Sequence, residues 1–281
     1  MSSSSQAGPG PAVPAEPTPR TALVTGASSG IGAAVAAALA ARGHRVLGTS
    51  RDPSSVAEPL PAVEYLPLDL SDDASVEACA AAAGPVDVLV NNAGESQSGP
   101  LEELPMTAVR RLFQTNVFGA VRLTQLLLPG MRERRYGRVV MVGSMLASFP
   151  LAYRSSYVAS KAALRGFASA ARREAAPYGV RICTVEPGSI STGISERRTQ
   201  YVADDSPFAG EYATMLAALN ANEANGISAA KVAGTVVRAV EARRPRPLYG
   251  VGSNAQLVFP LKRLLPRSAV ERVVARRHGL R

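Results

Sequence analysis

Cysteine is scarce in this chain: Cys79 and Cys183 are the only two in 281 residues. They stand far apart, with no CxxC pair and no Cys/His cluster, which excludes a disulfide framework and argues against a metal site, leaving two buried thiols as the expectation. No apolar run reaches the roughly eighteen residues that a membrane-spanning helix needs. The N-terminus shows no charged segment leading into an apolar core, so no signal peptide is expected and the expected location is cytoplasmic. Internal repeats are missing as well. Aromatic residues interleaved with basic ones are also lacking, which speaks against nucleic acid as a partner despite a net charge of +9. Much of that excess sits at one end: residues 262–281 carry seven cations against the single anion Glu271. Interleaved with Leu, Val and Ala, they suit an acidic membrane surface, a neighbouring subunit or a solvated helix face.

What is present is a hydrophobic content of 46%, enough for a sizeable core. Residues 1–19 are rich in Ser, Pro and Gly and read as a disordered extension. From Thr21 the pattern changes to a short buried strand, T-A-L-V-T, a glycine-rich turn, G-A-S-S-G-I-G, and an alanine-rich helix from Ile31 to about Arg42. Glycines at Gly26, Gly30 and Gly32 let backbone N–H groups approach a pyrophosphate at the helix start, although three glycines also simply permit tight packing. Further strands are read at Arg45–Thr49, Val63–Leu68, Val86–Val90, Arg138–Gly143, Val180–Glu186 and around Pro247–Gly252. Helices alternate with them, one of them running unbroken from Thr107 to about Leu128. This alternation predicts a doubly wound α/β fold, a parallel sheet with helices on both faces and a ligand site at the carboxyl ends of the strands. The domain is bounded at 20–254, with a weakly patterned lid at about 189–228 holding a short helix near Tyr212–Leu219, and a basic amphipathic tail at 255–281.

The stretch from Ser144 to Lys161 carries the chemistry. Tyr157 and Lys161 lie four apart, one helical turn, so a phenol and an ammonium share a face. A free phenol transfers protons poorly near neutral pH, and a neighbouring cation favours its ionised form. Ser144, at a strand end, can offer its hydroxyl to the same substrate oxygen. Asn116 falls in the apolar stripe of the long helix, where a buried amide is either a structural tie or a functional group. After the second strand, Arg51 suits the 2′-phosphate of NADP, whereas Asp52 would suit the ribose of NAD. A stripe of small residues, Ala159, Ala163, Gly166 and Ala170, hints at a subunit interface.

Taken in order, T-G-A-S-S-G-I-G at Thr25–Gly32, Asp69, N-N-A-G at Asn91–Gly94, Asn116, Ser144, Y-V-A-S-K at Tyr157–Lys161 and P-G-S-I-S-T at Pro187–Thr192 resemble the short-chain dehydrogenase/reductase family over about residues 20–250. The resemblance implies a seven-stranded Rossmann-type fold. It further implies reversible NADP(H)-dependent hydride transfer, NAD(H) being the lesser alternative, to or from a secondary alcohol or ketone. Tyr157 would be the acid/base, Ser144 the group polarising the substrate oxygen, Lys161 a ribose ligand acting on the tyrosine, and Asn116 a support for a proton relay. Gly26, Ser28, Gly30, Ile31 and Gly32 would follow the pyrophosphate and ribose. Arg51, Asp69, Leu70, Asn92, Ala93 and Gly94 would serve the adenosine side, and Pro187, Gly188 and Thr192 the nicotinamide. The segment around Asn116 is most similar to members acting on hydroxysteroids, retinol and other lipid-like alcohols. A homodimer or homotetramer is expected, with possible membrane contact through the tail. Glu95 departs from the family pattern by putting a carboxylate near the cleft. A redox-sensing or scaffold protein without turnover is the alternative, disfavoured by the intact Ser144, Tyr157 and Lys161.

Overall fold

The computed structural model describes residues 19–191, 193 and 197–280. Its centre is a sheet of seven parallel strands: β1 (Thr21–Val24), β2 (Arg45–Ser50), β3 (Val63–Pro67), β4 (Val88–Asn91), β5 (Gly137–Val142), β6 (Val180–Pro187) and β7 (Leu248–Val251). Their spatial order is β3-β2-β1-β4-β5-β6-β7. The order reverses between β1 and β4, and the crevice beyond the strand ends at such a reversal is where open α/β sheets bind ligands. All residues of β4 and β5 are buried, because helices cover both faces, and near-continuous apolar sequence is what such strands require.

On one face, α1 (Gly30–Ala40) and α7 (Ala229–Glu241) bring Val35, Leu39, Val232 and Val236 against the sheet. On the other, α2 (Asp73–Ala83), α4 (Gly119–Glu133) and α5 (Ser155–Ala175) bring Val76, Leu123, Met131 and Leu164. The helix expected over Thr107–Leu128 differs in two ways. It is broken into α3 (Met106–Phe113), a π-turn at Gln114–Phe118, and α4, and it continues past Pro129 to Glu133. The π-turn coincides with Asn116, whose amide is tied to the backbone of a neighbouring loop. At its end Gly119 packs so closely that a Cβ there would run into the carbonyl oxygen of Leu70.

Residues 189–228 hold more structure than their pattern suggests. Helix α6 (Ala209–Ala224) spans sixteen residues and buries Tyr212, Met215 and Leu219. Short pairings tie the segment down, Ile190–Ser191 with Ile227–Ser228 and Thr199–Gln200 with Gln97–Ser98. Beyond β7, α8 (Ala255–Lys262) and α9 (Arg267–Arg277) follow. Leu280 completes a small third core with Leu151, Tyr212, Met215 and Leu219. The basic C-terminal segment thus folds back onto the lid of its own chain. The expectations for residues 1–18 and for Thr192 lie outside the described residues. Among the described residues no helix is long and apolar enough to cross a membrane.

Candidate active site

A cavity of about 820 Å³ opens at the carboxyl ends of the strands. The turn after β1 forms one end of it. Gly26 and Gly30 have φ of 67° and 56°, left-handed values that favour glycine. A Cβ on Gly32 would strike the Gly26 carbonyl oxygen, so Gly32 serves close packing behind the wall, while Gly26, Ser28, Gly30 and Ile31 face the cavity. The first turn of α1 has no side-chain cap and no acidic residue, which leaves its N–H groups and the positive end of the helix dipole available to an anion. Asn92 fixes the neighbouring loop: its Nδ2 donates to the Thr25 carbonyl at 2.9 Å, and the amides of Asn92 and Ala93 donate to Thr25 Oγ1 at 2.9 and 3.0 Å. These features fit a dinucleotide, with the turn cradling its pyrophosphate.

Beyond β2, Arg51 lines the cavity and its side chain is exposed. Asp52 does not line it. Its carboxylate accepts from Ser54 N and Ser54 Oγ at 2.9 and 2.6 Å, capping a 3-10 turn, and the Ser54 hydroxyl holds its pKa below the ordinary carboxylate value. Asp69 and Leu70 line the same end. Asp69 accepts from Ser71 Oγ and N at 2.6 and 2.8 Å, and the hydroxyl contact lowers its pKa. Glu95 is on the wall and pairs with Arg111 at 2.8 Å. The carboxylate that departed from the family pattern therefore has its cation within the same chain.

At the other end Tyr157 and Lys161 project from α5, 8% and 6% exposed. Lys161 Nζ lies 5.9 Å from the Tyr157 ring centroid and donates to the Val142 carbonyl at 3.1 Å, which leaves further ammonium protons for a ligand. Ser144 Oγ accepts from Leu146 N at 3.2 Å, so its own proton is free to point at a substrate oxygen. Ser144, Tyr157, Lys161, Gly94, Pro187 and Gly188 share this cavity. Asn116 does not reach its surface. Its Oδ1 accepts from Glu95 N at 2.7 Å, and its Nδ2 donates to Glu95 O at 3.0 Å and Ser160 Oγ at 3.2 Å. The amide clamps the loop that carries Gly94, where a Cβ would meet Asn116 Oδ1 at 2.8 Å and lie 3.5 Å from Lys161 Nζ.

Several wall residues escaped the sequence reading. Val258, Leu261 and Leu265 come from the C-terminal segment, and Arg154 lies three residues before Tyr157. The i, i+3 spacing of Arg154 and Tyr157 was the available signal. The two thiols are remote from the chemistry: burial raises Cys79 to about 11 and Cys183 to about 12. Among the described residues no cluster of three or more His, Cys, Asp or Glu is placed to hold a metal.

A family model described as short chain dehydrogenase matches residues 20–202. A 3-ketodihydrosphingosine reductase of Bacteroides thetaiotaomicron is 32% identical over 247 residues, 86% of this chain and 91% of that protein. Among solved structures, a short-chain dehydrogenase from Streptomyces avermitilis superposes with a TM-score of 0.78 at 34% identity, covering 91% of this chain and 96% of the other. One from Burkholderia cenocepacia J2315, solved in complex with NADP, gives 0.74 at 27% identity, covering 91% and 97%. Both the site and these likenesses lead to one conclusion: the chain belongs to the short-chain dehydrogenase/reductase family, and it is an oxidoreductase of alcohol and ketone groups.

Proposed function

We propose that this enzyme interconverts a secondary alcohol and a ketone using NADP(H), on substrates with a largely apolar body. The convergence of Ser144, Tyr157 and Lys161 on one cavity carries the reading. When bound, the nicotinamide dinucleotide supplies the hydride. The chain holds it through the glycine turn and Lys161, orients the carbonyl with the Ser144 hydroxyl, and delivers or takes the proton at Tyr157 Oη. Arg51 on the wall and Asp52 turned away to Ser54 support NADP over NAD, since the Arg51 cation can meet a 2′-phosphate there while Asp69, on the same wall, is held by Ser71. Phe149, Val258, Leu261 and Leu265 support an apolar substrate.

Two associations belong to the same reading. The outward stripe of α5, with Ala159, Gly166 and Ala170 exposed and Phe167 47% exposed beside them, suits a second copy of the chain. In the C-terminal segment Leu257 and Leu264 are 71% and 81% exposed, and Arg263, Arg267 and Arg272 of the same segment are exposed too, which suits an anionic membrane surface.

The test is cofactor oxidation with medium-chain ketones. Wild type is expected to use NADPH at least about tenfold better than NADH in kcat/KM, and Arg51→Ala to collapse that ratio. Tyr157→Phe is expected to lower turnover by roughly 10²–10⁴ while NADPH still binds. Equal use of both cofactors by wild type would overturn the cofactor reading. Near-normal turnover in Tyr157→Phe would overturn the assignment of the proton donor.

A further inference from the structure

Among the described residues Arg154 is a buried cation without a counterion in contact. It is 3% exposed, lines the cavity, and sits with its guanidinium carbon 4.4 Å from the centroid of the Tyr157 ring. Nη2 donates to Ser96 Oγ at 3.0 Å, whereas Nε and Nη1 have no hydrogen-bond partner among the described residues. A carboxylate that attracts it, Glu223, is committed elsewhere: both its oxygens accept from Arg198 Nη2 at 2.6 Å. Burial brings the Arg154 pKa down to about 10, still far enough above neutrality to keep the charge.

The chain is bent to hold this side chain inward. Tyr153, the residue before it, has φ of 62°, a left-handed conformation that is strained in a residue with a Cβ. Its ring is held edge-on to Tyr212 with centroids 5.8 Å apart, and its hydroxyl donates to Glu211 at 2.6 Å. Burying a cation without a partner is costly, and a site that does so beside its proton donor gains when an anion arrives.

We propose that Arg154 is a specificity-determining residue that receives a carboxylate of the substrate, so that the preferred substrates are oxo acids with an apolar body, not neutral ketones. This rests on the hydride-transfer reading above. The stacking sets the guanidinium beside the proton donor, so the carboxylate it would receive lies close to the ketone, as in a 3-oxo acid. A carboxylate there would pair with the Arg154 guanidinium while the ketone oxygen stays between Ser144 and Tyr157.

The experiment compares a medium-chain 3-oxo acid with its methyl ester, using NADPH. Wild type is expected to favour the acid in kcat/KM by about tenfold or more, mostly through KM. Arg154→Met should bring the acid-to-ester ratio near one, and Arg154→Lys, which keeps the charge, should restore part of it. Wild type treating both alike would overturn the proposal, as would an unchanged ratio in Arg154→Met, the signature of a side chain that only packs on Tyr157. Should Arg154→Met not fold, competitive inhibition of wild type by decanoate against decanamide reads the same preference, and equal inhibition overturns it. Absence of turnover with either ketone under both cofactors would instead sink the hydride-transfer reading. Decanoate binding measured by calorimetry would then still decide whether Arg154 takes an anion.

Discussion

Replacing Asn116 by alanine removes the clamp between the π-turn and the loop that carries Gly94. The side chain is 1% exposed and makes three hydrogen bonds, two of them with the backbone of Glu95. Truncation strands the Glu95 N–H and carbonyl, each costing about 1–3 kcal/mol when water cannot replace the partner. The sum is roughly 2–5 kcal/mol, allowing for some relaxation. In a domain of this size each kcal/mol moves Tm by about 2–4 °C, so a fall of roughly 5–15 °C is expected in thermal unfolding followed by circular dichroism. Asn116→Asp should lose at least as much, because its second oxygen would face the Glu95 carbonyl and a carboxylate would be buried. Turnover should fall too, since Gly94 borders Lys161. If Asn116→Ala unfolds within about 2 °C of wild type, the clamp does not hold this loop.

Two further outcomes concern the C-terminal segment. The full chain is expected to co-sediment with phosphatidylglycerol-containing vesicles and not with phosphatidylcholine alone, and Leu257→Glu with Leu264→Glu to abolish this; no sedimentation of wild type would refute the membrane face. His278, whose Nδ1 donates to the Val274 carbonyl at 2.9 Å, has its pKa lowered by burial, so the unfolded segment binds more protons. Its contribution is complete above the unfolded value of about 6.5 and is lost as pH falls through the folded one. Hydrogen exchange should therefore show α9 opening more at pH 5.5 than at 7.5, with the step removed in His278→Gln; equal protection at both pH values would contradict it.

Much of the sheet was legible because buried parallel strands and intervening helices leave periodic apolar signatures, and the β1 turn because few residues other than glycine accept its dihedrals. Asp52 was ambiguous by type alone. Its capping of Ser54, two residues on, is the Asx pattern that would have turned it away from the ribose. The π-turn was hidden because one extra residue in a helical turn hardly disturbs a stripe that still reads Leu112, Asn116, Ala120. Docking of the C-terminal segment was hidden for a different reason. Its contacts with Tyr212, Met215 and Leu219 are far in sequence, and α9 buries only Val270 fully, too little for a periodic signal. Arg154 was passed over despite its i, i+3 spacing from Tyr157, since a single charged side chain reads as surface until its burial is known.

The small core of Leu151, Tyr212, Met215, Leu219 and Leu280 is separate from the two cores that hold the sheet. Leu146, Leu219 and Val274 of the cavity wall belong to or pack on the small core, whereas the strands that deliver Ser144 and the glycine turn rest on the large ones. Changes at distant, unshared contacts add nearly independently. Selection for a new substrate can therefore rewrite α6 and the last thirty or so residues while the scaffold that positions the proton donor keeps its stability, so that this chain can diversify in what it accepts faster than in what it does.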